Sequence, residues 1–150
     1  MTAEELWKEY AEEKNLENVE YEAWNFGGAA DKLANLVIKG IKTATCSLYY
    51  WYQDGKEKLP EEGEYSVILN SKNEAVCIIK TTKIYIIPYC DVSEEHAYKE
   101  GEGDRSLLYW KKVHEEFFSG ELAETEKKFQ DNMEVVCEEF ELQYIAKYNF

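Results

Sequence analysis

The chain predicts an α+β fold, and three observations carry that reading. Two helix-like segments open the chain, a block of β-formers follows Gly40, and helix signals return before a last strand. The strand candidates follow one another across short turns instead of alternating with helices. An antiparallel-rich sheet is therefore expected, not a βαβ sandwich. The 150 residues hold no internal repeat, low-complexity stretch or Pro/Gly linker. One domain is expected over 1–150, with a helical part over 1–38.

Thr2 and Glu5 make a capping box, and Leu6, Trp7 and Tyr10 give the first helix an apolar face that ends near Asn15. A second helix is predicted over 29–39, with Leu33, Leu36 and Val37 inward and Gly40 as its stop. Strands are predicted over 45–52, 65–69 and 75–89, the last so long that it must bend. The intervening turns fall at 54–58 with PEEG after it, and at 71–73. Asp91 and Glu94 resemble a helix start, and Gly101 and Gly103 interrupt that helix. A longer helix is predicted over 106–119, with Leu107, Trp110, Val113 and Phe117 on one face and Gly120 as its stop. The chain closes on a strand in which Val136, Phe140, Leu142 and Tyr144 share a face.

Composition narrows the function. With 45% apolar and 15% aromatic residues the chain has a core to bury, which excludes disorder. No apolar run reaches the ~20 residues of a membrane helix. The acidic N-terminus is no secretory signal, so a cytoplasmic location and reduced cysteines at 46, 77, 90 and 137 are expected. The net charge of −14 repels polyphosphates. Duplex DNA and long RNA held by charge alone are excluded, and a small or weakly charged ligand fits better. Arg105 is the one arginine among 17 basic residues.

Three stretches carry candidate chemistry. In Gly40-Ile41-Lys42-Thr43-Ala44-Thr45 an amine and a hydroxyl stand three apart, and a helix-to-strand junction can bring them together. Such a pair can act as base and nucleophile, provided the lysine is shifted ~3 units down from its ordinary 10.4. The plain alternative is a solvated lysine beside a strand threonine. His96 and Glu100 stand one helical turn apart, a spacing that orients a base or simply packs a histidine. The pair can also bind a metal, but no HExxH is present and Cys90 alone lies nearby at ligand spacing, so no metal and no cofactor are expected. Gly103, Asp104, Arg105 and Ser106 precede a helix, where backbone amides meet an oxyanion or a plain N-cap forms. The aromatic run 49–52 offers stacking or packing surface.

Together these residues resemble the ASCH domain, the activating-signal-cointegrator homology module, whose barrel is similar to the PUA RNA-binding fold. The resemblance rests on KGIKTATCSLYYWY (39–52), CDVSEEHAYKEGEGDRSLLYWKKVHEEFF (90–118) and VVCEEF (135–140). The first helix and the 15–28 segment look like the N-terminal extension of the larger bacterial members. What it implies is a PUA-like β-barrel over 39–150 with inserted helices, a cleft, and a function around RNA or modified nucleosides. Small bacterial relatives hydrolyse the acetyl amide of N4-acetylcytidine with a Lys/Thr/Glu set, which maps onto Lys42, Thr45 and Glu100. Other relatives are described as ribonucleases, for which Lys42 and Ser106 are the carry-over. The wider family pattern, G-x-K-x-x-x-x-R, has Ser47 in the arginine's place here. Ser47 is then a candidate ligand contact, and Arg105 the arginine that replaces the missing one from the other loop.

Three candidate functions emerge. They are an amidohydrolase of N-acylated nucleosides, a non-catalytic RNA-binding module, and a single-strand ribonuclease. The expected partner is a modified nucleoside or single-stranded RNA. The cleft is expected where residues 40–47 meet 91–106.

Overall fold

The structure, a computed structural model, describes residues 1–147 except 54 and 56. Helix α1 (Ala3–Lys14) starts on the expected capping box: Thr2 Oγ1 accepts the Glu5 N–H and Glu5 Oε1 accepts the Thr2 N–H. The helical part expected over 1–38 contains a strand, β1 (Tyr21–Trp24), before α2 (Ala30–Ile38). Four residues are too few to show a period, so composition alone does not reveal it.

After Gly40 comes β2 (Ala44–Leu48), which is shorter than the strand expected over 45–52. The Tyr49 N–H still reaches the Glu134 carbonyl, but the Tyr52 N–H turns back to Tyr49. Residues Tyr50–Gln53 therefore form a helical turn, α3. The turn expected over 54–58 lies partly outside the described residues.

Strands β3 (Tyr65–Leu69) and β4 (Ala75–Pro88) form the expected hairpin, whose turn is fixed by Asn70 Oδ1 accepting from the Lys72 and Glu74 amides. The bend expected in the long strand appears as register shifts against β5 (Glu134–Ile145) at Ile78/Ile79 and Thr81/Lys83.

A 3-10 turn at Tyr89–Asp91 leads into α4 (Glu94–Glu100). Ser93, not Asp91, caps α4, because Asp91 is consumed in that turn. Ser106 caps α5 (Leu107–Leu122), which continues past Gly120. Its buried row is Trp110, His114, Phe118 and Leu122, a strict i+4 ridge. The predicted row through Phe117 is one position off, and Phe117 is exposed.

The sheet order is β1-β3-β4-β5-β2, with β1 parallel to β3 and every other pair antiparallel. Strands β1 and β2 are its two edges, so the sheet is open and mixed, not the closed barrel that the resemblance implied. Helices cover both faces. Leu6, Trp7 and Tyr10 of α1 pack on Val67 and Ile78, while Ala34 and Val37 of α2 pack on Ile68, Cys77, Ile79 and Phe140. The adjacent residues Val67 and Ile68 point to opposite helices, as the period of two requires. Helix α5 closes the far end against Leu48, Tyr89 and Val135. Among the described residues no helix is long and apolar enough to cross a membrane.

Candidate functional site

The junction 40–43 is pinned from three sides. Its Ile41 and Lys42 amides both reach the Leu36 carbonyl at the end of α2. The Thr43 N–H donates to Lys99 of α4 at 2.7 Å, and the Thr43 carbonyl accepts from Phe140 of β5. Gly101 ends α4 with φ +74, and a Cβ there would lie 2.6 Å from the Ile41 carbonyl oxygen. Only glycine permits this approach of α4 to the junction.

That approach buries Lys42, which is 1% exposed and not the solvated lysine of the plain alternative. Its Nζ donates to the Glu100 carbonyl (3.3 Å), Glu100 Oε1 (3.4 Å) and Glu102 Oε2 (3.1 Å). The ammonium also lies 5.4 Å from the centroid of the Phe26 ring. Glu100 is equally buried and receives four donors in all. Lys42 and His114 Nε2 stand 3.4 Å from Oε1, while His96 Nε2 (2.7 Å) and Trp110 Nε1 (2.6 Å) reach Oε2. A carboxylate has about four lone-pair sites, and here all are taken.

Burial alone would raise the Glu100 pKa. The Lys42 charge and the hydrogen bonds from His114 and His96 outweigh it and hold the carboxyl well below its ordinary range. Burial likewise opposes charging of His114, but Glu100 overcomes it and raises the His114 pKa. His114 Nδ1 lies 2.9 Å from the Trp110 carbonyl, which only accepts, so both ring nitrogens face acceptors. His96 was legible from its spacing to Glu100. The sequence places Trp110 on the buried face of its helix but not as a partner of Glu100, and it does not mark His114; their signal is the i+4 ridge of α5.

The sheet face on the side of α2 holds a cavity of about 570 Å³. All five strands contribute to its wall, among them Trp24 of β1, Ser66 of β3, Thr81 of β4, Glu138 of β5, and Thr45 and Ser47 of β2. Phe26, Tyr52 and Phe117 add aromatic surface. Phe26 thus joins the two parts of the site, since one ring lies beside the Lys42 ammonium and in the cavity wall. Ser47 is bonded to the Tyr52 hydroxyl at 2.9 Å. The wall is acidic: Glu22, Glu57, Glu64, Glu121 and Glu138 face it, and Lys58 is the one cation among the described lining residues.

Residues 45–47 line this cavity but no residue of 91–106 does, the 103–106 loop included, so the cavity does not lie where 40–47 meets 91–106 as expected. Asp104 accepts the Ser106 N–H, Ser106 accepts the Tyr109 N–H, and a Cβ on Gly103 would strike the Tyr109 ring. Arg105 donates from Nε to the Tyr98 carbonyl (3.0 Å) and from Nη2 to the Ile41 carbonyl (3.4 Å). Its guanidinium stacks 3.6 Å above the Tyr98 ring. Arg105 thus ties α4 to the junction, while Asp104 and Ser106 bond within the loop and the first turn of α5.

Cys46, Cys77, Cys90 and Cys137 are free thiols, with Cys90 exposed and not in an apolar run. Cys46, Glu100 and His114 offer ligand atoms within 4.8 Å of one another. That set is poorly suited to a metal ion, because Lys42 already balances Glu100 and burial holds the Cys46 thiol protonated.

A five-stranded mixed sheet with helices on both faces, a cavity lined by all five strands and a buried Lys–Glu pair linked to it through Phe26 define an α+β domain with one candidate site. The ASCH domain profile matches residues 22–144, and the chain belongs to that family. An ASCH domain structure from Lactobacillus crispatus JV V101 is 34% identical, with a TM-score of 0.86 over 92% of this chain and 91% of that one. Protein EF3133 from Enterococcus faecalis V583 is 36% identical, with a TM-score of 0.87 over 95% of this chain and 88% of that one. Hypothetical protein PH0355 shares the fold at 16% identity and a TM-score of 0.56, over 83% of this chain and 100% of that one. No curated protein matches the chain.

Proposed function

We propose that this ASCH domain is a hydrolase of N-acylated nucleosides of the N4-acetylcytidine type, with no metal or other cofactor. One observation carries the reading. Thr45 lines the cavity three residues after a lysine that is buried and held by Glu100. In the proposed reaction Thr45 Oγ attacks the acyl carbon and the bond to the exocyclic nitrogen breaks. Lys42, held as the ammonium, gives one proton to that nitrogen and takes the hydroxyl proton in its place, and water then hydrolyses the acyl ester on Thr45. With its four lone-pair sites occupied, Glu100 fits the role of holding Lys42 in place, not that of a proton acceptor. Ser47 is proposed as a ligand contact.

The family is suggested to bind RNA, and the aromatic lining favours a second reading in which a single-stranded base stacks in the cavity without turnover. The acidic wall argues against a phosphate backbone following that base. Turnover of N4-acetylcytidine, run beside RNA binding and cleavage on one preparation, separates the readings. The hydrolase releases acetate at a rate that salt hardly alters and that Thr45→Ala abolishes. An RNA binder loses affinity steeply between low and moderate salt and releases no acetate.

A further inference from the structure

We infer that Glu138 is the specificity-determining group of the cavity, presenting its carboxyl to the amidine edge of a nucleobase that carries no phosphate. Here "amidine edge" means a ring nitrogen beside an exocyclic N–H. The inference rests on the nucleoside reading of the same cavity, and it concerns recognition, not bond cleavage.

Glu138 lies between Val136 and Phe140 on one face of β5, opposite Thr45 across the β2–β5 ladder. It is 7% exposed, lines the cavity, and makes no salt bridge among the described residues. A buried carboxyl without a cation is costly unless a ligand or a proton completes it. The charged and titratable groups of the same wall come from every neighbouring element. They are Glu22 of β1, the Cys46 thiol of β2, Tyr52 of α3, Glu57, Lys58 and Glu64 between α3 and β3, and Glu121 of α5. Burial pushes Glu138 up to about 7, Glu64 adds to the rise, and the Thr81 hydroxyl opposes it.

Near neutrality such a carboxyl exchanges easily between acid and carboxylate. As the acid it offers one O–H donor and one C=O acceptor side by side. Cytosine presents the complement, with N3 accepting and the N4–H donating. N-acylation leaves one N4 hydrogen in place, so the substrate and its deacylated product can both pair. Uracil can pair with the acid only through O4, a far weaker base than cytosine N3, so it shares that proton poorly and binds less tightly. Binding of cytosine therefore carries one proton, held between Glu138 and N3. Linkage makes its affinity fall roughly tenfold per pH unit above the Glu138 pKa. A 5′-phosphate would enter a wall of four further carboxylates, Glu22, Glu57, Glu64 and Glu121, against Lys58.

The test is calorimetric titration of the full chain with cytidine, uridine and cytidine 5′-monophosphate at pH 6, 7, 8 and 9, in low salt. Glu138→Gln mimics the acid, since its amide donates to N3 and its carbonyl accepts from N4. It should bind cytidine across the range with the pH slope removed, whereas Glu138→Leu should lose affinity ~100-fold, as expected of an unmatched polar edge. Cytidine should bind at least tenfold tighter than uridine at pH 8 and than its 5′-monophosphate at low salt. An unchanged pH slope in Glu138→Gln, wild-type affinity in a folded Glu138→Leu, or no cytidine binding to the wild-type chain overturns the inference. Acetate release from N4-acetylcytidine is measured separately. Turnover with a Glu138-independent pH slope sinks this inference alone, and Glu138-dependent binding without turnover sinks the hydrolase reading alone.

Discussion

The Lys42 ammonium and the Glu100 carboxylate, 58 residues apart in the chain, meet 3.4 Å apart with each side chain 1% exposed. The pair joins the α2–β2 junction to α4, and each partner is the other's answer to desolvation. Removing one charge from such a pair strands the other, which costs about 3–5 kcal/mol. Glu100→Gln also turns an amide N–H toward at least one of the four donors. The expected result is a melting temperature lower by on the order of 10 °C, with Glu102 sparing part of the Lys42 charge. A variant that melts within 2 °C of the wild-type chain would show that the cluster does not hold the fold together.

His114 gives that cluster a pH dependence whose sign is fixed. Its folded pKa is raised above the ordinary 6.5, so its stabilisation is fully present below 6.5 and is lost as pH rises through the folded value. His114→Phe keeps a ring that can stack on Trp110, now at 4.2 Å between centroids, and removes the charge. The stability deficit of His114→Phe should be largest at pH 6 and shrink toward pH 9. A deficit that is flat across this range would mean His114 is neutral in the folded chain.

Glu138 runs in the opposite sense from Glu100. Its folded pKa of about 7 lies above the ordinary 4.5, so the stability it supports is complete below 4.5 and is lost as pH rises through about 7. A shift of that size corresponds to on the order of 3 kcal/mol. Glu138→Gln should therefore melt several degrees higher than the wild-type chain at pH 8, with the gap closing at pH 4. Denaturant melts at the two pH values check it, and equal midpoints at pH 8 would contradict the buried, unpaired placement.

Why some of this was legible depends on where the signals sit. Lys42, Thr45, His96 and Glu100 lie in short motifs whose spacing encodes geometry, so the sequence alone placed Lys42 and Glu100 in segments that meet. The i+4 ridge of α5 was hidden because His114 interrupts its apolar character, and Phe117 beside Phe118 offers a competing row one position away. Strand β1 was invisible because its pairing is parallel and non-local, and nothing in four residues announces a partner at 65–68. Glu138 did carry a signal. It is a carboxylate on the same strand face as Val136 and Phe140, and a charge on a core-facing row marks a group with work to do. The open sheet was not legible at all, because edge pairing depends on register between elements far apart in the chain.

Gly101 and Gly40 both sit in the left-handed region, at φ +74 and +75, yet their surroundings differ. A Cβ at Gly40 meets open space, so Gly40→Ala carries only the backbone strain of about 1 kcal/mol. At Gly101 the Cβ would lie 2.6 Å from the Ile41 carbonyl oxygen, which must move and carry Lys42 with it. Gly101→Ala should cost roughly 3 kcal/mol or more, combining strain with the lost approach. Thermal melts of the two variants side by side decide the point, and equal losses would show the α4–junction contact to be loose.

Arg105 is itself in the left-handed region, with φ +66, where a non-glycine residue is held only by what surrounds it. Its fork supplies that hold. Nε reaches the last turn of α4 at the Tyr98 carbonyl, Nη2 reaches the junction at the Ile41 carbonyl, and the plane lies on the Tyr98 ring. A lysine keeps the charge and a weaker attraction to the ring, but it cannot serve both carbonyls from one rigid plane. Losing one such hydrogen bond and the planar stacking costs about 1–2 kcal/mol, or on the order of 5 °C for a chain of this length. Arg105→Lys should therefore melt lower while its ligand affinity and turnover, measured well below that melting point, stay within twofold of wild type. The opposite pattern, an unchanged melting temperature with affinity or turnover lowered tenfold, would make Arg105 a ligand contact and bring the 103–106 loop into the site.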